Sequence, residues 1–361
     1  MDIVKTKYLK FEIFSKSVRL SNKTKSKLGK SIKEQSNLRS GLSNGLDIIL
    51  PNNIWVNAPI DTKPTGVTPF LVNDADGKFV LKKNGEKLAE ILIPPRPLFY
   101  NYCTSDGVPF KKIGSIRADR LSICLNNNCI FWNNKKLRCK FCAIGLTKKN
   151  EIPIKTSKQI LETVEAALND PTLPAKHIYL NSGAQAGLDN GFSRFAKIIS
   201  EIKELINVNV HLNPCPPRSK RYIDLLYYSK LDEISFNLEV FDEKVAKEII
   251  PAKYSLITRE LYFKMLNYAV EVFGDLKVSS CLVVGLEPFN STIEGVEYLL
   301  SHGIIPKLSC FRPLSGSLLS KHPPPSFEFL VDVYNHAKEL SREYGTPLGP
   351  LCQPCQLHSL I

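Results

Sequence analysis

The sequence predicts an α/β chain built as a partial (βα)6 TIM barrel, with a small N-terminal appendage and a cysteine-containing C-terminal tail. From about residue 119 onward, short β-rich runs alternate six times with helical patterns. That alternation implies a parallel sheet with right-handed crossovers. Several of the runs turn polar near their C-terminal ends. This suits a barrel or half-barrel that carries its site on that face. A flat doubly wound sheet is the alternative that periodicity leaves open.

Residues 1–115 read as a basic arm followed by a small α+β appendage. The first forty residues hold eleven lysines and arginines against three acids, a net of +8 within the chain's +13. Such an arm reads first as a solvated, partly ordered tail. A contact with an acidic partner or nucleic acid is the stronger reading, and the lack of interleaved aromatics weakens the nucleic-acid form of it. The Asp-Ala-Asp-Gly run at 74–77 looks like a hairpin turn. Pro94, Pro95 and Pro97 form a stiff linker.

Residues 116–320 form the expected core. Its strands fall at 120–125, 177–181, 208–213, 233–239, 277–284 and 304–311. Helical patterns lie between them at 157–168, 192–205, 219–229, 258–273 and 292–301. Residues 321–361 add a helical pattern at 327–344 and a tail carrying Cys352 and Cys355. No apolar run reaches the roughly 18 residues that span a bilayer, so no membrane contact is expected. The first residues lack the apolar centre of a secretory signal, which points to a cytoplasmic protein. Ten cysteines in that compartment argue for metal or redox chemistry rather than disulfides.

Cys129, Cys139 and Cys142 lie directly after the first strand, at the mouth of the expected barrel. Three thiolates leave one iron of a cubane cluster without a protein ligand, open to a small molecule. Zinc is the competing occupant of such a set. Phe141 adds an aromatic wall, and Lys135, Lys136, Arg138 and Lys140 favour thiolate over thiol. Asn181, Ser182 and Gly183 end the second strand, where glycine exposes backbone to a ligand or simply makes a turn. Asn237 and Glu239, two apart, point to one face and suit the hydroxyls of a ribose. Val283 and Gly285 end the fifth strand, with Gly285 allowing close approach of a flat ring. Arg312 suits either a substrate carboxylate or phosphate, or a structural carboxylate. Cys352 and Cys355 form a second Cys-x2-Cys, which fits an auxiliary cluster, a redox couple or zinc. Its further ligands are sought among Cys103, Cys215 and Cys310, while Cys124 and Cys281 read as packing residues. The six histidines show no paired metal spacing.

With these features the chain resembles the radical S-adenosylmethionine (radical SAM) superfamily over about residues 116–320. Cys129, Cys139 and Cys142 match its three cluster cysteines, with a first gap of nine residues where three is usual. Phe141 matches the aromatic flanking the adenine. Asn181 to Gly183 sit at the motif for the methionine amine, here without its acid. Asn237 and Glu239 match the ribose motif of the biotin-synthase-like branch, and Val283 to Leu286 the adenine-contacting strand. Gly107–Phe110, the run RCKFCAIG at 138–145 and the long gap look like a little-characterised radical SAM family found near nitrilase genes.

The resemblance implies a [4Fe-4S] cluster and SAM as cofactors. It implies one-electron reductive cleavage of SAM to a 5′-deoxyadenosyl radical, and hydrogen abstraction from a small-molecule substrate. It also implies a ferredoxin or flavodoxin as electron donor. Sulfur insertion, with a second cluster near Cys215, Cys310 and Arg312, ranks behind simple abstraction. A non-catalytic zinc- or RNA-binding protein is the reading from another class.

Overall fold

The computed structural model describes residues 1–36, 45–60, 66–187 and 189–361. The chain opens with α1 (Ile3–Lys16), capped by the Asp2 carboxylate, which accepts from the Lys5 N–H at 2.8 Å. Its inner face buries Leu9, Phe11, Ile13 and Phe14. Lys10 is buried with them, its ammonium donating to the carbonyls of Gln356 at 2.9 Å and Ile361 at 2.8 Å. The expected solvated tail is thereby corrected. Burying a phenylalanine contributes roughly 1.5–3 kcal/mol, more than exposed lysines exert on one another. Arg39, also in that arm, lies outside the described residues.

The remaining elements of the first part are β1 (Arg19–Leu20), α2 (Asn22–Leu28), α3 (Lys30–Ser36) and the antiparallel hairpin of β2 (Leu46–Leu50) and β3 (Ile54–Ala58). Three further strands, β4 (Phe70–Ala75), β5 (Lys78–Lys83) and β6 (Glu86–Ile91), form an antiparallel meander, with β1 parallel to β4. The turn between β4 and β5 is the expected one, with Asp76 and Gly77 both at positive φ.

The barrel sheet has seven strands. The first, β7 (Gly114–Arg117), is antiparallel to β8 (Arg120–Cys124) and had no sequence counterpart. Parallel to β8 run β9 (His177–Asn181), β10 (Asn209–Asn213), β11 (Glu233–Ser235), β12 (Val278–Val284) and β13 (Ile305–Cys310). Neighbours in the sheet are neighbours in sequence throughout. A doubly wound sheet would reverse its strand order part-way, so that alternative falls and the partial barrel stands.

The crossovers are α4 (Ser157–Leu168), α5 (Phe192–Leu205), α6 (Arg221–Tyr228), α7 (Glu243–Ile249) with α8 (Arg259–Phe273), and α9 (Phe289–Ser301); α10 (Phe327–Glu343) follows β13. Thr156 and Gln159 fix the start of α4 with a reciprocal capping box. One continuous apolar core joins Phe11 of α1, Ile48 and Val56 of the hairpin, and Leu180 and Leu212 of the barrel. Among the described residues no helix is long and apolar enough to cross a membrane.

An incomplete barrel leaves β7 and β13 as edges. Side chains of the β2–β3 hairpin link them. Arg117 of β7 pairs with Asp47 at 3.7 Å, Asp47 accepts from the Asn57 amide, and Asn57 accepts from Arg312, just beyond β13. All four residues are buried. We expect Asp47→Ala to cost about 3–5 kcal/mol, because it takes the paired carboxylate away from a buried guanidinium. Asp47→Leu with Arg117→Met should recover most of that. Urea denaturation measures both, and a loss below about 1 kcal/mol in the single variant would remove the network from the account of stability.

Candidate active site

The loop after β8 bends across the C-terminal mouth of the barrel. The Gly183 N–H donates to the Asn126 carbonyl at 2.8 Å, and the Ile130 N–H to the Ala184 carbonyl at 2.9 Å. These bonds lay Cys129 against the end of β9. A Cβ on Gly183 would stand 2.8 Å from the Cys129 Cβ, so the glycine makes room for the cysteine. The nine-residue gap folds back on itself. Leu137 and Arg138 N–H groups donate to the Asn134 carbonyl at 3.0 and 3.1 Å. The Arg138 guanidinium lies over the Trp132 ring at 4.7 Å, and that ring occupies the space a Cβ on Gly145 would need. Further on, the Lys140 N–H donates to Ile249 at 2.8 Å, and the Leu319 N–H donates to Lys140 at 3.1 Å, fixing the Cys139–Cys142 turn.

Cys129, Cys139, Cys142 and Phe141 all line one cavity of about 540 Å³. The same cavity is lined by Asn181, Ser182 and Gly183 after β9, Asn237 and Glu239 after β11, and Val283 of β12. Phe141 packs with Val240, Ile249, Ile250, Val283 and Phe311 in an apolar cluster that also touches Cys139 and Cys142.

Two expected members lie elsewhere. Gly285, at φ +100°, does not line the cavity; a Cβ there would meet Pro325 at 2.8 Å, so packing and backbone strain explain it. Arg312 does not line the cavity either; it is buried beside Asn57, with its guanidinium 5.1 Å from the Phe14 ring. Cys281, read as packing, does line the cavity, while Cys124 is buried as expected.

Asn237 and Glu239 lie beyond the last paired residue of β11, Ser235. Asn237 Oδ1 accepts from the Cys281 N–H at 3.2 Å, a side-chain substitute for the strand ladder. Glu239 sits at φ +69°, held there by its N–H donating to Cys281 at 2.7 Å and its carbonyl accepting from Val283 at 2.9 Å. A non-glycine residue in that region costs about 1–3 kcal/mol and clusters at functional sites. The Glu239 carboxylate pairs with Lys253 at 2.8 Å. Burial alone would lower the Lys253 ammonium, but Glu239 beside it holds it well above its ordinary value. Lys253 was missed from the sequence because it lies in a π-helical turn, Lys253–Ile257, for which the residue pattern gives no signal.

The expectation that loop cations favour thiolate is corrected. Burial pushes the Cys142 thiol up to about 12 and Cys139 well above its ordinary value, with Glu239 adding to both. Lys140 is engaged by Glu248 at 2.9 Å and Arg138 by Trp132. Buried thiols that resist ionising in water give up their protons to a bound metal. Three thiols from one loop gathered on one cavity fit an iron–sulfur cluster. Cys215 packs near Cys129 in a small cluster with Phe131, Ala184 and Ala252.

Below the mouth the cavity becomes a polar lumen lined by Tyr179, His211, Asn213, Ser279, Lys307 and Ser309. Asn213 donates to the Tyr179 hydroxyl at 2.6 Å, and His211 lies 2.9 Å from Ser235 Oγ. Burial lowers His211 to about 4 and Lys307 to about 8.

No family model matches the chain. Over 143 residues, 39% of its length, it is 29% identical to a bacteriochlorophyllide c C-7(1)-hydroxylase from Chlorobaculum limnaeum, of which the match spans 36%. The structure is similar to HydG, a maturase of the [FeFe]-hydrogenase, with TM-score 0.50 and 11% identity over 66% of this chain and 55% of that one. It is likewise similar to methylornithine synthase (PylB), with TM-score 0.50 and 14% identity over 66% of this chain and 68% of that one. These structural neighbours are radical SAM enzymes. The curled half-barrel is the fold they share with this chain.

Gly145→Val drives a side chain into the Trp132 ring. Overpacking of this kind costs about 1–3 kcal/mol. We expect it to loosen the Cys129–Cys139 segment and lower iron retained after anaerobic reconstitution several-fold. Unchanged iron content would show that the Trp132 packing does not hold the loop.

Proposed function

We propose that the protein is a radical SAM enzyme acting on a small polar molecule held in the barrel lumen. The observation that carries this reading is one cavity shared by three loop cysteines, the polar ends of β9 and β11, and the lumen beneath them. On this reading Cys129, Cys139 and Cys142 hold a [4Fe-4S] cluster. Phe141 and Val283 flank the adenine of SAM, the Asn181–Gly183 segment takes the methionine amine, and Asn237 and Glu239 take the ribose. Lys253 orients the Glu239 carboxylate. A reduced cluster with SAM supplies cleavage of a sulfonium S–C bond and a carbon radical that removes hydrogen from substrate. The apolar cluster around Phe141 excludes water from that corner.

Asn-Leu-Glu at 237–239 supports a relation to the biotin-synthase-like branch. Sulfur insertion remains the weaker variant, since Cys310 and Arg312 are buried away from the lumen. The docked α1 speaks against a free RNA-binding arm. Lys135 and Lys136 stand exposed on the cysteine loop and suit an acidic, low-potential donor of the ferredoxin or flavodoxin kind.

The test is anaerobic reconstitution with iron and sulfide, then dithionite and SAM, with 5′-deoxyadenosine read by mass spectrometry. The unaltered chain and Cys215→Ala should form it, and Cys139→Ala should not. Formation by Cys139→Ala would overturn the assignment; loss in Cys215→Ala would overturn the reading that three cysteines suffice for the site. Glu239→Ala should weaken SAM binding roughly ten- to a hundredfold, the worth of a charged hydrogen bond, with the cluster intact. Equal affinity would take Glu239 out of the site.

A further inference from the structure

A second set of metal-ligating side chains meets at the opposite end of the lumen. Asp119 lies in the turn between β7 and β8, and His177 is the first residue of β9, so both mark the N-terminal rim of the barrel. The tail reaches them by pairing with β13: the Gly349 N–H donates to Pro306 and the Leu360 N–H to Leu308, both at 2.9 Å. Gly349 allows this approach, since a Cβ there would stand 2.4 Å from Ile305.

Pairing delivers Cys352 and Cys355 to the rim. Asp119 Oδ1 lies 3.4 Å from Cys352 Sγ and 3.8 Å from Cys355 Sγ, and His177 Nε2 lies 3.1 Å from Cys355 Sγ. All four ligand atoms lie within 4.8 Å of one another. The expected partners do not join them: Cys103 is exposed, Cys215 sits at the other end, and Cys310 is buried behind the strand.

We propose that Asp119, His177, Cys352 and Cys355 hold one zinc ion, a closed structural site that fastens the tail across the lower end of the barrel. Zinc with sulfur at about 2.3 Å and nitrogen or oxygen at about 2.0–2.2 Å sets tetrahedral edges of about 3.3–3.8 Å. The observed spacings straddle that range. Two thiolates, an imidazole and a carboxylate form a mixed set that zinc accepts, and four protein ligands leave no open position. An iron–sulfur cluster distributes its ligands over separate irons, which four donors gathered about one point do not suit. Arg120 lies close to both thiols and over the Tyr179 ring at 4.6 Å, offsetting the negative charge of the ligand set.

The assignment is independent of the radical SAM reading, and its test reads metal rather than SAM cleavage. The full chain carrying Cys129→Ala, Cys139→Ala and Cys142→Ala is dialysed against a weak chelator and analysed by plasma mass spectrometry. Zinc at about one equivalent per chain, as a closed four-ligand site requires, is expected. Adding Cys352→Ser and Cys355→Ser should remove at least nine-tenths of it, and His177→Ala most of it. Zinc-edge X-ray absorption on the unaltered chain serves as a second reading that needs no variant to fold. A shell of two sulfurs and two nitrogen or oxygen ligands supports the site. No zinc, an all-sulfur shell, iron with acid-labile sulfide on Cys352 and Cys355, or a Cys352–Cys355 disulfide would each overturn it.

Discussion

A barrel that stops at six parallel strands must close its open side, and everything at the mouth depends on how it does so. Unpaired strand edges and a half-lined lumen would admit water along the whole length of the sheet. Here the β2–β3 hairpin and the tail fill the opening. The buried path from Arg117 through Asp47 and Asn57 to Arg312 ties one edge to the other. Two guanidiniums in one buried network with a single carboxylate is an expensive arrangement in a core, and Arg312 offsets it by meeting the Asn57 amide and the Phe14 ring. The N-terminal third is therefore structural to the barrel. Lys10 repeats the theme, holding the tail's carbonyls from within α1.

The mouth adds a second constraint. Three thiols must meet despite a nine-residue gap, and the gap solves this by turning on Asn134 and stacking Arg138 on Trp132 above Gly145. The insertion thus spends its length on a local cation–π contact and returns the chain close to where it left. Glu239 pulls against its own backbone preference at the facing strand end, and Lys253 compensates the buried carboxylate. Geometry held at a cost on both sides of one cavity is what a preorganised binding site requires.

Much of this was legible in the chain. The bounds of α4 and α5 follow directly from the helical patterns at 157–168 and 192–205. The cysteines, Phe141, Asn181 and Glu239 converge because strand ends of a parallel sheet share one face. What failed to show has physical reasons. Arg312 has the same composition signal whether it binds a carboxylate or a core amide, and only the docked hairpin decides. Lys253 sits in a π-turn without a pattern. Asp119 and His177 lie 58 residues apart in the sequence and far from Cys352, so no local spacing joins them. Only the register of β8 against β9, and of the tail against β13, brings them together.

The two ends of the lumen then have opposite duties. On the radical SAM reading the upper end admits cofactor and substrate. On that reading the lower end gains nothing from being open, since a carbon radical formed in the lumen would react with whatever reaches it. The tail meets that need by adding to the β13 edge and bringing Cys352 and Cys355 to the rim beside Asp119 and His177. A ligand seated between Tyr179 and Ser309 shares one cavity with the cysteines, Asn181 and Glu239 above it. On the radical SAM reading the residues that would hold SAM stand above that ligand, so the cofactor and the deeper ligand would share one chamber.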